Sequence, residues 1–256
     1  SGSTVGLVDV DSAGANTQAA EVTTNGIADN SGVAIQIQGA GNVTVGGIDA
    51  TNAAGNVEVK SAANIVLNDV DGGTTSGTVY LEAGDSITDA NGNTVNISAD
   101  NLNLVAVNDA TLNTNVATLD FSGRAITISE TDAIDITASS ATGALSITAG
   151  GPITQSGAID ADSTSSFSAG GNVITLNSEA NDFTDAVSLT NTGTNNVTID
   201  DANNLILGTV SIAAGNLNVD NAGTITQNGV VSVGGNTELD NSDGDNADIT
   251  LTNASN

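Results

Sequence analysis

Residues 150–157 read Gly-Gly-Pro-Ile-Thr-Gln-Ser-Gly, and residues 222–229 read Ala-Gly-Thr-Ile-Thr-Gln-Asn-Gly. One phrase therefore occurs twice, with Gly151 of the first copy matched by Gly223 of the second. Self-similarity at a fixed spacing is typical of repeat proteins, in which near-equivalent units stack and provide length and surface before chemistry.

Short segments of alternating apolar residues flank this phrase on both sides. An apolar period of two predicts β-strands, and we find no stretch with the period of an amphipathic helix. Clusters of Gly, Asn, Asp, Ser and Thr separate the segments. The apolar pairs include Val43/Val45, Val57/Val59, Ile65/Leu67, Val79/Leu81, Leu145/Ile147, Val187/Leu189, Val197/Ile199 and Leu217/Val219.

These strand segments recur at similar intervals of about 20–22 residues, which lie in the range of solenoid repeats. Intervals of this size separate Val57 from Val79, Val43 from Ile65, Ile65 from Ile87, Phe167 from Val187, and Val210 from Val231. A β-sandwich needs no such phase relation and normally has a more aromatic core. We predict an all-β parallel β-helix, or β-solenoid, with about 20–24 residues per coil. Residues 1–256 are predicted to form a single solenoid, in which residues 240–256 are a partial coil or an interface tail.

Gly-Asn pairs precede or adjoin many of the strands. Both residue types tolerate left-handed backbone angles, and Asn amides can hydrogen-bond along a stack, so we predict that these pairs form the corners of the coils. The pairs are Gly41-Asn42, Gly55-Asn56, Gly92-Asn93, Gly171-Asn172, Gly215-Asn216 and Gly235-Asn236.

The charge balance is strongly acidic. Lys60 and Arg124 are the only cations against 30 acidic residues, giving a formal net charge of −28. Nucleic acid and anionic membrane surfaces would be repelled. No apolar run reaches the roughly 18–20 residues that span a bilayer, so membrane insertion is not expected. We expect Arg124 to pair locally with Asp120 or Glu130.

Composition also excludes several kinds of catalysis. The chain has no His and no Cys, so it lacks a Ser-His-Asp triad, a thiol nucleophile and the usual zinc ligands. Asp200-Asp201 or Asp69/Asp71 could serve as the acid and base of an enzyme that cleaves acidic polysaccharides. Repulsion of such a glycan and the absence of Trp disfavour this alternative, so we predict that the chain is not an enzyme.

Two acidic segments are candidate calcium sites. Asp89, Asn91 and Asn93 place oxygen-bearing side chains at alternate positions around a glycine, and Asp243, Asp245 and Asp248 lie within one short segment. Neither segment contains the distal Glu of a complete calcium loop. Asp and Asn also favour turns for reasons unrelated to metal binding. No cofactor is required under this simpler interpretation, which we favour, and calcium is kept as the alternative.

Both ends of the chain are strand-like. The chain opens with Val5-Gly-Leu7-Val-Asp-Val10 and closes with Ile249-Thr-Leu251. Exposed strand edges can add a further strand, and a contact of this kind between the two ends propagates instead of closing. We therefore predict that Val5, Leu7, Val10, Ile249 and Leu251 form an interface for end-to-end stacking into a head-to-tail homopolymer.

Several phrases resemble repeats of the large filamentous-haemagglutinin-like bacterial adhesins. The resemblance covers roughly residues 85–240 and is specific for architecture rather than for a ligand. It rests on Ile153-Thr-Gln-Ser-Gly157, Ala169-Gly-Gly-Asn-Val-Ile-Thr-Leu-Asn177, Asn181-Asp-Phe-Thr-Asp-Ala-Val-Ser-Leu-Thr-Asn191 and Asn195-Asn-Val-Thr-Ile-Asp-Asp-Ala-Asn-Asn-Leu-Ile-Leu-Gly208.

The resemblance implies a right-handed β-helix shaft, located outside a Gram-negative cell or on its surface, with a role in adhesion, biofilm or extracellular fibres. The expected partners are other copies of the chain, adjoining modules of a larger adhesin, and host or matrix glycans. The alternative function is a calcium-dependent module that binds a glycan or a receptor.

Overall fold

A computed structural model describes residues 8–12, 16–19, 22–23, 35–50, 56–241 and 247–256. Before residue 35, and at residues 74 and 75, it describes the backbone alone. Throughout this described part the chain forms strands and turns without a helix, and hence without a helix that could cross a membrane. The chain divides into two compact units, Ser1–Thr131 and Asp132–Asn256.

The first unit contains thirteen described strands. They are β1 (Val8–Ser12), β2 (Asn16–Ala19), β3 (Val22–Thr23), β4 (Ile35–Gly39), β5 (Asn42–Val45), β6 (Ile48–Asp49), β7 (Val57–Ser61), β8 (Ile65–Leu67), β9 (Val70–Ala83), β10 (Ile87–Asp89), β11 (Ile97–Ala106), β12 (Ala110–Gly123) and β13 (Ile126–Glu130).

The second unit contains sixteen described strands. They are β14 (Ile134–Ile136), β15 (Ser139–Ala141), β16 (Leu145–Ala149), β17 (Ile153–Gln155), β18 (Ile159–Ala161), β19 (Ser165–Ser168), β20 (Ile174–Leu176), β21 (Asp182–Phe183), β22 (Val187–Asn191), β23 (Val197–Asp201), β24 (Leu205–Ile212), β25 (Leu217–Asn221), β26 (Ile225–Gln227), β27 (Val231–Val233), β28 (Thr237–Asp240) and β29 (Ile249–Thr250).

In the first unit every strand pairs in parallel with its equivalent one coil away. Val57, for example, lies in register between Ile35 and Val79. Strands β9, β11 and β12 run through corners and take part in more than one stack. The stacks are β1–β4–β7–β9–β11–β12, β2–β5–β8–β10–β12–β13 and β3–β6–β9–β11–β12.

The second unit is built in the same way. Strand β24 is long, and its two halves pair with β26 and β27 respectively. The stacks are β14–β17–β20–β23–β25–β28, β15–β18–β21, β16–β19–β22–β24–β27 and β24–β26–β29.

The predicted β-solenoid is confirmed, with about 21 residues per coil. The expected register is correct for Val57 and Val79, Val43 and Ile65, Ile65 and Ile87, and Val210 and Val231. It is wrong for Phe167, which pairs with Leu189, because the partner of Val187 is Ser165. An inward-facing serine at the start of β19 hides the true spacing, since a pattern of apolar residues alone does not include it.

The core consists of the inward residues of each strand. Alternate positions are buried, as in β7 and β22, and most inward Val, Ile and Leu side chains are fully enclosed. Phe121, Phe167 and Phe183 are also buried and fill part of the core. The rings of Phe167 and Phe183 meet edge to face, with centroids 6.1 Å apart.

Asparagine side chains stack at the corners as predicted. The Oδ1 atom of Asn196 accepts the backbone N–H of Asn216, whose Oδ1 accepts that of Asn236. The expected role of glycine is correct in part. Gly92 has a positive φ of 76°, whereas at Gly215 an added Cβ would lie 1.8 Å from the carbonyl oxygen of Asn195. Close stacking of coils, rather than left-handed backbone, therefore requires glycine at that corner.

The repeated phrase does not return to the same stack. Its first copy places Ile153 on β17, in the stack that ends with β28, and its second places Ile225 on β26, in the stack that ends with β29. Because the interval from Ile153 to Ile225 is not a whole number of coils of about 21 residues, the second copy is displaced around the solenoid. The long repeat and the coil are thus two separate periods.

Candidate functional site

An acidic ladder runs across three coils of the second unit. Asp200, Asp220 and Asp240 are register partners on β23, β25 and β28. Neighbouring strands in a sheet are about 4.8 Å apart, so these carboxylates follow one another closely. Glu238 lies on the same face, and the ladder lines an open cavity of about 340 Å³. This surface concentrates negative charge and would attract cations and protons.

The pKa of Asp200 is raised to about 6. Burial is the main cause, and repulsion by Asp220 and Glu179 adds to it. Asp200 lines a second open cavity of about 200 Å³ with Glu179, Asp201 and Asp220. Within the described ranges, no three or more Asp or Glu side chains are placed so that they could hold a metal ion. A raised pKa means that the Asp200 carboxyl holds its proton more tightly than an ordinary aspartate does.

Asp201 is the most enclosed carboxylate of this region, with only 2% of its surface exposed. Its Oδ1 accepts the backbone N–H of Phe183, whereas its Oδ2 has no hydrogen-bond partner. Burial raises the pKa of Asp201 to about 6, against the opposing effect of the Phe183 N–H. The next coil carries Asn221 in the same register, and its Oδ1 is also buried without a partner.

The carboxylate pairs considered for glycan cleavage lie in acidic surroundings. Asp200 and Asp201 are consecutive strand residues, so their side chains leave opposite faces of β23. Asp69 follows β8, while Asp71 lies on β9 opposite Asp49. Burial raises the pKa of Asp69, and Asp71 and Asp49 raise it further. Each pair is thus surrounded by further negative charge.

The Asp89 candidate for calcium binding is the centre of a hydrogen-bonded loop. Its Oδ1 accepts the N–H groups of Asn91 and Gly92 and the amide of Asn96, at 2.6 to 3.0 Å, and its Oδ2 accepts the amide of Asn113 at 3.0 Å. The Asn91 Oδ1 accepts the Asn96 amide as well. These oxygens therefore face N–H donors, as in the turn interpretation. Calcium binding stays a prediction.

The other predicted site residues are described only in part. Asp248 is exposed, and its carbonyl oxygen accepts the N–H of Ile225. Val10 lies on β1 opposite Ile37, Ile249 is 43% exposed on β29, and Leu251 is half-buried. The remaining candidates, Asp243, Asp245, Val5 and Leu7, lie outside the described residues.

Both cations are held by nearby carboxylates. Lys60 lies 2.5 Å from Glu58 and 3.5 Å from Glu82, and its hydrogen bond to Glu58 is the main reason that its pKa is raised. The expectation for Arg124 was wrong, because the structure pairs it with Asp109 at 2.7 Å. Asp109 lies one coil back across the stack, a contact that proximity along the sequence did not reveal.

The repeated phrase forms one hydrogen-bonded arrangement twice. In the first copy, the side-chain amides of Gln155 and Asn181 bond reciprocally at 2.8 and 3.0 Å, and the Asn181 Oδ1 also accepts the N–H of Ile159. In the second copy, Gln227 and Asn256 bond at 2.9 and 2.8 Å. We call these the two amide pairs.

The rest of the second arrangement also matches the first. The Asn256 Oδ1 accepts the N–H of Val231, as Asn181 does for Ile159. Each Gln donates to the carbonyl oxygen two residues further on, that of Gly157 or Gly229. An added Cβ at either glycine would lie 2.4 Å from backbone of the preceding coil. Backbone closeness and the amide pair therefore explain why both copies contain the Ile-Thr-Gln-x-Gly phrase.

Sequence reasoning missed the Asn members of these pairs, although a signal for them was present. Residues 174–181 read Ile-Thr-Leu-Asn-Ser-Glu-Ala-Asn, and residues 249–256 read Ile-Thr-Leu-Thr-Asn-Ala-Ser-Asn. Each phrase follows its Ile-Thr-Gln copy and ends at the paired Asn. Since the interval from Asn181 to Asn256 is slightly longer than that from Gln155 to Gln227, a search at one fixed spacing passes over them.

One comparison with known protein families divides the chain at about the interval of the repeated Ile-Thr-Gln phrase. No curated protein and no solved structure matches the chain. The family described as "Repeats of unknown function (DUF5649)" matches residues 123–190 and again residues 194–256, together just over half of the chain. Each match contains one amide pair and its Ile-Thr-Gln phrase. The chain therefore belongs to the DUF5649 family of repeats of unknown function.

Proposed function

We propose that the chain is a structural and adhesive protein of the bacterial surface: the shaft of an adhesin, or a subunit that assembles end to end into an extracellular filament. The resemblance of its repeats to those of filamentous-haemagglutinin-like adhesins supports this proposal. So do the stacked coils, which supply length from a small apolar core.

The observation that carries the proposal is the coil edge formed by β27, β28 and β29. Strands β27, β28 and β29 each pair with an earlier coil, and none of them has a partner on its other side among the described residues. The N–H of Leu217 donates to the carbonyl of Asn236, so its register partner Thr237 turns its own N–H and C=O away from β25. Unpaired edges of this kind accept another strand.

Sedimentation velocity and electron microscopy of the 256-residue chain would test end-to-end assembly. We expect Thr237→Pro to abolish assembly and to leave the β-sheet circular dichroism intact, because proline removes an N–H that β25 does not use. Thr237→Val is the matched control, since it keeps that N–H and should assemble normally. Equal assembly by Thr237→Pro and the unchanged chain would contradict the filament form.

A second variant pair tests the apolar part of the edge. Ile249 and Val107 are the large apolar side chains that the described residues leave exposed, at 43% and 65%. Of the two, only Ile249 lies on β29, at this edge. Ile249→Asp should therefore weaken assembly, whereas Val107→Asp should leave it unchanged. A chain that sediments as a monomer under all conditions would restrict the proposal to the shaft form.

A further inference from the structure

One cavity of the second unit is lined by carboxylates without a counter-charge. This open cavity of about 200 Å³ lies where β23 and β25 end. Its polar lining consists of Glu179, Asp200, Asp201, Asp220 and Asn221. Strand β28 lies over β25, so the cavity belongs to the stacked coils and not to their uncovered edge. Because Lys60 and Arg124 both lie in the first unit, the second unit has no Lys, Arg or His that could neutralise these groups.

Two oxygens of the residues that line this cavity lack hydrogen-bond donors. Asp201 is 2% exposed and Asn221 is 1% exposed. The Oδ2 of Asp201 and the Oδ1 of Asn221 have no hydrogen-bond partner among the residues that the structure describes. The Asn221 amide is held in this orientation, because its Nδ2 donates to the carbonyl oxygen of Thr224. A buried acceptor without a donor is unfavourable, so a bound group that supplies N–H donors here would be stabilised.

The backbone donors of the two alanines that line the cavity are already used. The N–H of Ala202 donates to the carbonyl oxygen of Asn181, and the N–H of Ala222 donates to that of Asp201. Ionised carboxylates only accept hydrogen bonds. The cavity is therefore unsuited to an anion and suited to a cation that carries several N–H groups.

The spacing of the acceptors favours an organic cation over a metal ion. Calcium takes about six to eight oxygen ligands, and no three or more Asp or Glu side chains of the described residues are placed to hold a metal ion. Asp201 and Asn221 are register partners on neighbouring coils, so their backbones are about 4.8 Å apart. A guanidinium group is planar and carries several N–H donors in a fixed fork, which can reach two acceptors at such a spacing.

We propose that this cavity binds a guanidinium group, which an arginine side chain of a partner protein or a small free guanidinium compound could supply. The N–H groups of the ligand donate to Oδ2 of Asp201 and Oδ1 of Asn221. The carboxylates of Asp200 and Asp220 balance its positive charge. The site goes beyond the proposed function and does not depend on end-to-end assembly.

The pKa values of the lining provide one test. Burial is the main cause that raises the pKa values of Asp200 and Asp201 to about 6. Repulsion by Asp220 and Glu179 adds to the effect at Asp200, and repulsion by Asp182 adds to it at Asp201. A bound cation favours the ionised carboxylates, so saturating ethylguanidinium should lower both pKa values. Carbon-13 NMR titration of the carboxyl groups measures this change, and unchanged pKa values would overturn the proposal.

Isothermal titration calorimetry of the full chain at constant ionic strength tests the chemistry of the ligand. Ethylguanidinium should bind saturably. Tetramethylammonium is the matched control, because it has the same charge and no N–H donor, and it should not bind. Calcium should not displace ethylguanidinium. Absence of saturable binding, equal binding of the two organic cations, or displacement by an equal concentration of calcium would overturn the proposal.

Two variants with the same change of charge locate the site. Asp201→Asn should weaken binding of ethylguanidinium at least about tenfold, because it removes the enclosed carboxylate that accepts from the ligand. Asp240→Asn removes a charge from the acidic ladder outside this cavity and should change binding less than about twofold. Equal effects of the two variants would show that the ligand follows the overall charge, and would overturn the site.

A third ligand distinguishes the two sources of the guanidinium group. N-acetylarginine amide presents the group as a peptide does. Binding as tight as that of ethylguanidinium would assign the cavity to an arginine side chain of a partner. Binding of ethylguanidinium alone would assign it to a small free compound, and binding of neither would overturn the proposal.

Discussion

Asp201 and Asn221 are register partners on adjacent coils, and each holds one buried side-chain oxygen without a hydrogen-bond partner, Oδ2 and Oδ1 respectively. Both oxygens are hydrogen-bond acceptors, and neither receives a hydrogen from a donor. A proton on Oδ2 of Asp201 would supply that donor. The pKa of Asp201, raised to about 6 mainly by burial, is consistent with proton uptake in mildly acidic solution.

This relationship predicts how stability depends on pH. Because the folded-state pKa of Asp201 exceeds its ordinary value of 3.8, the folded chain binds the proton more tightly than the unfolded chain. The resulting stabilisation is present below about pH 4 and is lost as pH rises through about 6. Asp200, with its pKa also raised to about 6, acts in the same direction.

Asp201→Asn tests the prediction. Its neutral amide buries no charge at any pH, so the variant should be more stable than the unchanged chain at pH 7 by about 1–2 kcal/mol and nearly equal to it at pH 4. Asp248→Asn removes one exposed charge and is the control. Urea unfolding at both pH values measures the difference, and a gain as large at pH 4 as at pH 7 would contradict it.

Close stacking predicts that glycine is essential at some corners and dispensable at others. An added Cβ at Gly215 would lie 1.8 Å from the Asn195 carbonyl oxygen, whereas at Gly171 the nearest atom is 3.7 Å away. We expect Gly215→Ala to lower the free energy of unfolding by about 2 kcal/mol or more, and Gly171→Ala to change it by less than about 0.5 kcal/mol. Similar effects in urea unfolding curves would show that the coils adjust freely.

The hydrogen bonds of Asp89 predict the result of a calcium experiment. Its two carboxylate oxygens accept four N–H groups that hold the loop over Asn96 and Asn113. We expect Asp89→Ala to lower the melting temperature by the same amount in excess calcium and in chelator. A built-in calcium ion would instead make the unchanged chain melt lower in chelator and the variant insensitive to it.

The solenoid could be predicted from the sequence because its two determinants are local and repeated. Alternating residues such as Val57 and Val59 define strands, and the constant spacing to Val79 defines the coil. Contacts between coils were harder to predict from the sequence. Arg124 bonds to Asp109 across the stack, and Phe167 pairs with Leu189, because the register depends on corner lengths that apolar periodicity does not encode.

The candidate site likewise combines features that the sequence reveals with features that only the structure shows. The repeated Ile-Thr-Gln phrase is visible in the sequence. The hydrogen-bond partner of its Gln155 is Asn181, which lies 26 residues further on and comes close only because the coils stack. The acidic ladder of Asp200, Asp220 and Asp240 is evenly spaced along the chain. The ladder was not recognised because the chain has 30 acidic residues. Burial distinguishes Asp201 from Asp200, and composition does not predict which of two neighbouring carboxylates is buried.

The two amide pairs predict unequal costs for the same substitution. Asn181 is fully buried and, besides bonding to Gln155 and Ile159, donates to the carbonyl oxygens of Leu176 and Asp200. Asn256 is exposed and bonds to Gln227 and Val231. Asn181→Ala leaves several buried groups unpaired and should cost about 2–3 kcal/mol of unfolding free energy, whereas Asn256→Ala should cost about 1 kcal/mol or less.

Urea unfolding of the two variants side by side measures this difference. The reciprocal amide bonds are alike in the two copies, so a difference in cost reflects the burial of Asn181 and its two additional hydrogen bonds. Equal costs would show that the amide pair itself, and not its burial, determines the contribution to stability.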